Sequence, residues 1–159
     1  MLNPCVKAWN SATTSSQNRI ASILESMQIV GLDHIVIRCL DAKRMVDFYC
    51  GALGCRLEKY REDLGLYHLR AGPSLIDFVS ISGKLGREGG GPPERNGRNM
   101  DHFCLRIDSF DEPTLRIHFK AHGIELGEVQ NNYGAEGDGP SFYLTDPEGN
   151  TVELKGPAF

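Results

Sequence analysis

An internal repeat constrains the fold of this chain more than any other feature. The segment MDHFCLRIDSFDEPTLRIHFKAHG (100–123) can be laid on LDHIVIRCLDAKRMVDFYCGALG (32–54) with one single-residue gap near the helix ends. Asp-His matches Asp-His, Arg106 matches Arg38, an acidic cap opens each helix, and Gly123 answers Gly54. In each copy an apolar, β-branched run reads as a strand. A helix follows, which in the first copy starts behind Asp41 and carries Met45, Val46, Phe48, Tyr49 and Leu53 on its apolar face. CRLEKYRED, LGLYHLRAG and SLIDFVSIS then read as three strands of the first unit. IELGEV, SFYLTDP and NTVELKG supply three for the second, with DPEGN (146–150) as a tight turn. The chain is therefore expected to be α+β, built from two βαβββ modules, 29–83 and 99–155.

Between the modules, SGKLGREGGGPPERNGRN (82–99) reads as a flexible glycine-rich linker. It lacks the strand, helix and Gly-Lys-Ser/Thr end of a phosphate loop. Residues 1–26 form an N-terminal extension ahead of the domain at 27–159. Ile20, Ile23, Leu24 and Met27 fall at helical spacing there. At 159 residues, 40% of them hydrophobic and 24% charged, the chain can bury the core of one ordinary domain. A formal net charge of −4 gives no basic excess for nucleic acid or an anionic membrane, and no apolar run is long enough to span a bilayer. Five cysteines without metal-type pairing are expected to be reduced thiols. The expectation is a cytoplasmic protein whose partner is a small molecule.

The repeat duplicates chemistry as well as shape. Each first strand carries a histidine, His34 or His102, and each last strand an acid in apolar surroundings, Asp77 or Glu153. Burying any one of these charges alone is costly, so a shared partner is expected. Two imidazoles and two carboxylates suit a divalent metal such as Zn, Ni, Fe or Mn. The competing reading places both histidines in the core and both acids in surface ion pairs. Arg38 and Arg106 each lie four residues beyond their histidine, on the same side of the strand. There they could hold a substrate carboxylate or phosphonate. Cys104 faces the same way as His102, as a packed thiol. His118 and His122 are four apart on a helix without a completing acid and read as surface residues. His68, in a middle strand, has no assigned role.

These paired strands, together with FYLTDPEGNTVEL (142–154), resemble the vicinal oxygen chelate superfamily, also called the glyoxalase/bleomycin-resistance/dioxygenase family, over residues 29–155. The resemblance implies that the modules form a cupped eight-stranded mixed sheet, often completed in a homodimer. A divalent metal in the cup would meet a substrate through two neighbouring oxygens. His34, Asp77, His102 and Glu153 fall on the four ligand positions of the lactoylglutathione lyase branch, where the last acid also moves the proton. Arg38 falls where that branch has an arginine touching glutathione. Asp77 is one methylene shorter than the acid usual there, and Ile81 stands where a polar glutathione contact is usual. The implied activity is a glyoxalase-like lyase or isomerase. The alternatives are a thiol transferase of the fosfomycin-resistance type, an Fe(II) extradiol dioxygenase using His34, His102 and Glu153, and a non-catalytic drug-binding resistance protein.

Overall fold

Alternation along the first strand decides which side of the sheet is buried. The structure, a computed structural model, describes residues 28–94 and 96–159. Residues 28–32 belong to a separate N-terminal unit and hold no helix or strand. The expected helix at 20–27 lies outside the described residues. In β1 (His34–Cys39), Ile37 and Cys39 are buried while His34 and Val36 are exposed. The helix α1 (Ala42–Gly51) begins where Asp41 accepts a hydrogen bond from the Arg44 amide at 3.0 Å. The expected face is seated: Met45, Val46 and Tyr49 are buried. β2 (Arg56–Arg61), β3 (Leu66–Ala71) and β4 (Ser74–Ser80) follow, and β1 returns to lie parallel to β4 in a sheet of order β1-β4-β3-β2.

The linker is not structureless, because it contains the short helix α2 (Lys84–Glu88). A Cβ at Gly86 would lie 2.0 Å from the Ser80 carbonyl oxygen, so this turn packs too closely for a side chain. The second module repeats the first with β5 (His102–Arg106), α3 (Glu112–Ala121), β6 (Gln130–Gly134), β7 (Gly137–Thr145) and β8 (Thr151–Lys155). Its sheet has the matching order β5-β8-β7-β6. Asp111 caps α3 by accepting from the Thr114 amide at 3.1 Å, the counterpart of Asp41. Gly54 and Gly123 close the two helical segments with nearly equal φ of 69° and 71°, a region that favours glycine.

One strand differs from expectation. IELGEV is not a strand, and the first strand of the β6–β7 hairpin lies at Gln130–Gly134 instead. The carbonyls of Leu126 and Gly127 accept from the Arg116 guanidinium at 3.2 and 3.1 Å instead of from a neighbouring strand. Ile124 and Leu126 are apolar because they pack against the core.

The fold is thus α+β, with eight strands among the described residues in two four-stranded mixed sheets. The helix-side faces of both sheets share one core. Ile37, Ile76 and Phe78 of the first module lie in the same cluster as Phe119, Leu144, Val152 and Leu154 of the second. Tyr49 sits at the junction, edge-on to Phe78 at 4.9 Å, stacked on Phe103 at 6.4 Å, and donating its hydroxyl to Asp146 at 3.0 Å. Asp146, within DPEGN, also accepts from the amides of Glu148 and Asn150 and from the Asn150 side chain. The opposite faces, which carry the histidines and acids, turn away from this core.

Candidate functional site

In the first sheet the register aligns Val36 with Asp77 and His68 with Asp77. His34, Val36 and Arg38 therefore share a face with Asp77 and His68. In the second sheet Cys104 and Tyr143 both align with Glu153, placing His102, Cys104, Arg106, Tyr143 and Glu153 together. Thus Glu153 answers Asp77, and Tyr143 answers His68.

Both first-strand histidines are held by the aspartate that precedes them. His34 Nδ1 is 2.7 Å from Asp33, and His102 Nδ1 is 2.7 Å from Asp101. A carboxylate on Nδ1 fixes the ring and leaves Nε2 for another partner, a common setting for metal-binding histidines. The Asp33 hydrogen bond raises the His34 imidazole above its ordinary value, and the charges of Asp33 and Asp77 add to this.

Glu153 is 5% exposed. Burial by itself would raise its carboxyl, but hydrogen bonds from Asn132, Ser141 and Cys104, with His102 nearby, hold it below the usual range. The Asn132 amide nitrogen lies 2.9 Å from Glu153 Oε1, 2.9 Å from the Tyr143 hydroxyl and 2.8 Å from Ser141 Oγ. Glu153 Oε2 faces His102 Nε2 at 3.3 Å. Lys155, also buried, runs beneath the β6–β7 hairpin and donates to the Asn132 carbonyl at 2.7 Å. Its stem fits there because Gly134 and Gly139 have no Cβ: one at Gly134 would meet Lys155 Cε at 2.6 Å. The Cys104 thiol is pushed up to about 11, by desolvation first and then by Glu153, so it is not a ready thiolate.

Asp77 lacks such a cradle. Its Oδ1 lies 2.9 Å from His68 Nδ1, yet the two do not align as a hydrogen bond, and both atoms are buried without another partner among the described residues. Orphaned buried donors and acceptors of this kind call for a further group. Two donors each about 2.1 Å from one ion lie about 3.0 Å apart at a right angle and about 3.4 Å apart at the tetrahedral angle. The His102–Glu153 separation of 3.3 Å falls in this range. Among the described residues, however, no three His, Cys, Asp or Glu side chains gather around one point. The structure brings His34 and Asp77 to one face and His102 and Glu153 to another.

The arginines are already engaged. Arg38 donates to the carbonyls of Gly86 and Gly90 at 3.0 and 2.7 Å, pinning the linker, and Arg106 pairs with Glu136 through Nε at 2.8 Å. His118 and His122 are exposed, with one ring nitrogen each on the carbonyls of Ala52 and His118. Sequence reasoning assigned no part to His68, Asn132 or Tyr143. Only His68 carried a signal, as an imidazole inside a strand of the repeat.

Comparison with known proteins completes this picture. The chain is 30% identical over 131 residues to a glyoxalase domain-containing protein, RDO1, of Mycosarcoma maydis, a match covering 80% of this chain and 69% of that one. An integron cassette protein from the mobile metagenome of V. cholerae superposes with a TM-score of 0.65 at 25% identity, covering 83% of this chain and 98% of that one. A lactoylglutathione lyase from Agrobacterium tumefaciens shares the fold with a TM-score of 0.60 at 18% identity, covering 82% and 96%. No described helix is long and apolar enough to cross a membrane. With residues 31–154 matching its family description, the chain belongs to the Glyoxalase/Bleomycin resistance protein/Dioxygenase superfamily.

Proposed function

We propose that this protein is a metal-dependent, glyoxalase-like lyase or isomerase of the cytoplasm, moving a proton within a small oxygenated substrate. It works as a homodimer in which the His34/Asp77 face of one copy meets the His102/Glu153 face of another. The observation that carries this reading is the pair of matched half-sites, one His and one acid on each of two sheets turned away from a common core. His34, Asp77, His102 and Glu153 would hold the ion, and their nitrogen and oxygen donors suit Zn, Ni, Fe or Mn. When bound, such an ion supplies Lewis-acid stabilisation of a substrate oxyanion.

The chain's own residues account for the rest. Glu153 is kept ionised, with Oε1 fixed by Asn132, so Oε2 is the oxygen placed to take a proton from a carbon beside a carbonyl and return it to the neighbour. Asp33 and Asp101 fix the histidine rings in one orientation before substrate arrives. Arg38 and Arg106 lie on the same faces, and an anionic substrate group would bind there by exchanging with the linker carbonyls or Glu136.

The test is metal analysis of purified protein together with its sedimentation. Close to one equivalent of a divalent transition metal per half-site pair, in a dimer, is expected. Less than roughly half an equivalent under conditions where tight sites fill sinks the reading. Oxygen consumption with catechols would instead assign the protein to ring-cleaving chemistry.

A further inference from the structure

Strand β7 runs further than the strand that covers it. β6 begins at Gln130, opposite Ser141, so β7 from Phe142 to Thr145 has β8 on one side and no strand on the other. Alternation decides which backbone groups are left over. The Pro140 carbonyl accepts from the Gly156 amide at 2.8 Å, and the Asp146 amide donates to the Asn150 carbonyl at 3.0 Å, so the even-numbered residues of this stretch face β8. The N–H and C=O groups of Tyr143 and Thr145 therefore point the other way, within the plane of the sheet. The segment 124–128, which would cover them as a strand, makes no backbone hydrogen bond to either residue among the described residues. Its carbonyls at Leu126 and Gly127 are taken by Arg116, and a Cβ built on Gly127 would lie 4.0 Å from the Tyr143 carbonyl oxygen. A cavity of about 350 Å³ takes its lining from both segments, with Ile124 and Glu125 from one and Tyr143 and Thr145 from the other.

We propose that this cavity binds a small amide-bearing ligand that adds to β7 as a short extended strand, its N–H and C=O pairing with those of Tyr143. A secondary amide backbone in extended form presents one acceptor and one donor at the spacing an open strand edge offers. It would run about 4.8 Å from β7. The volume lies at the lower end of the range for small-molecule sites, which suits a short piece of peptide and not a folded partner. Glu125 is the only charged residue in the lining among the described residues, so a cationic side group on the ligand is favoured. The cavity adjoins the proposed centre. The Tyr143 side chain lies on the Glu153 face with its hydroxyl 2.9 Å from Asn132, while its backbone faces the cavity. The inference deepens the function proposed above and rests on it for one point, that the bound molecule is the substrate: its oxygenated carbon reacts at Glu153 while its amide is held on β7.

The test is amide hydrogen exchange, read by NMR on the full chain, with Nα-acetyl-lysine N-methylamide as the probe. Without the probe, the amides of Tyr143 and Thr145 should exchange quickly and those of Phe142 and Leu144 slowly. At saturation the probe should slow exchange at Tyr143 by at least about 10-fold. Butylamine, a cation without an amide, should not slow it. Nα-acetyl-glutamate N-methylamide should bind at least about 10-fold more weakly than the lysine probe, and Glu125→Lys should reverse that preference. A Tyr143 amide that is already protected without the probe overturns the proposal. So does a lysine probe that gives no protection, equal protection by butylamine, or a charge preference that Glu125→Lys leaves unchanged. The titration needs no metal, so its failure leaves the metal-dependent reading standing, and a chain that takes up no metal leaves the titration result standing.

Discussion

The two modules share a scaffold but treat their acids in opposite ways. In the second, Asn132 fixes one oxygen of Glu153, and hydrogen bonds from Asn132, Ser141 and Cys104 keep the group ionised. In the first, Asp77 has no amide donor among the described residues and lies 2.9 Å from His68, out of hydrogen-bond alignment. The two modules keep the positions of the His and the acid and differ at the residue across from the acid, His68 in one and Tyr143 in the other. On the proposed reading, a site made from both halves would combine a prearranged carboxylate, Glu153, with an acid held less firmly, Asp77.

Removing one histidine from each half is the most severe way to break the comparison. His34→Ala and His102→Ala should each lower metal affinity by more than about 100-fold, measured by competition with a chelator, whereas His118→Ala should leave it unchanged. Equal loss from all three, or from none, would mean the half-sites are misplaced. Next in size is the Glu153 cradle. Asn132→Ala leaves a buried carboxylate short of a donor and should cost about 1–3 kcal/mol in urea unfolding. No single neutral substitution around Asp77 should match it.

A smaller effect probes what joins the modules. Tyr49→Phe removes the hydroxyl on Asp146 but keeps the ring stacks, so a loss of about 1 kcal/mol is expected with a single unfolding transition retained. Two separated transitions would show that the modules fold independently. The last effect is alkaline. Burial, then Glu148, Asp146 and Asp41, pushes the Cys39 thiol up to about 12. A group raised in the folded state contributes stability that is complete below its ordinary value and lost as pH rises towards the folded one. Urea midpoints at about pH 8 and about pH 10.5 should therefore differ, and Cys39→Ala should narrow the difference.

Much of this architecture was legible in the sequence because its signals are local. Asp41 and Asp111 cap their helices, Gly54 and Gly123 end them, and Asp146 organises its turn through contacts no more than four residues away. The Asp-His dipeptides were legible for the same reason, since each aspartate orients the next residue. What escaped depends on pairing across strands. Asn132 reaches Glu153 over 21 residues of chain, and the register that sets His68 against Asp77 follows from a hairpin, not from composition. IELGEV misled because burial of Ile124 and Leu126 mimics a strand pattern when a side chain, Arg116, satisfies the backbone instead. The sequence also could not show that the half-sites face away from each other within one chain, because that follows from the shared core behind both sheets.

The glycines over Lys155 carry an evolutionary consequence. A Cβ at Gly134 would collide only with the lysine stem, whereas one at Gly139 would also come within 2.5 Å of the Pro157 carbonyl oxygen. Tolerance at Gly134 is therefore conditional: alanine there becomes acceptable once position 155 carries a shorter side chain, while Gly139 stays closed to alanine either way. In a library of double variants, positions 134 and 155 should show strong epistasis. The order in which a lineage could change them would then be fixed, with the lysine yielding first.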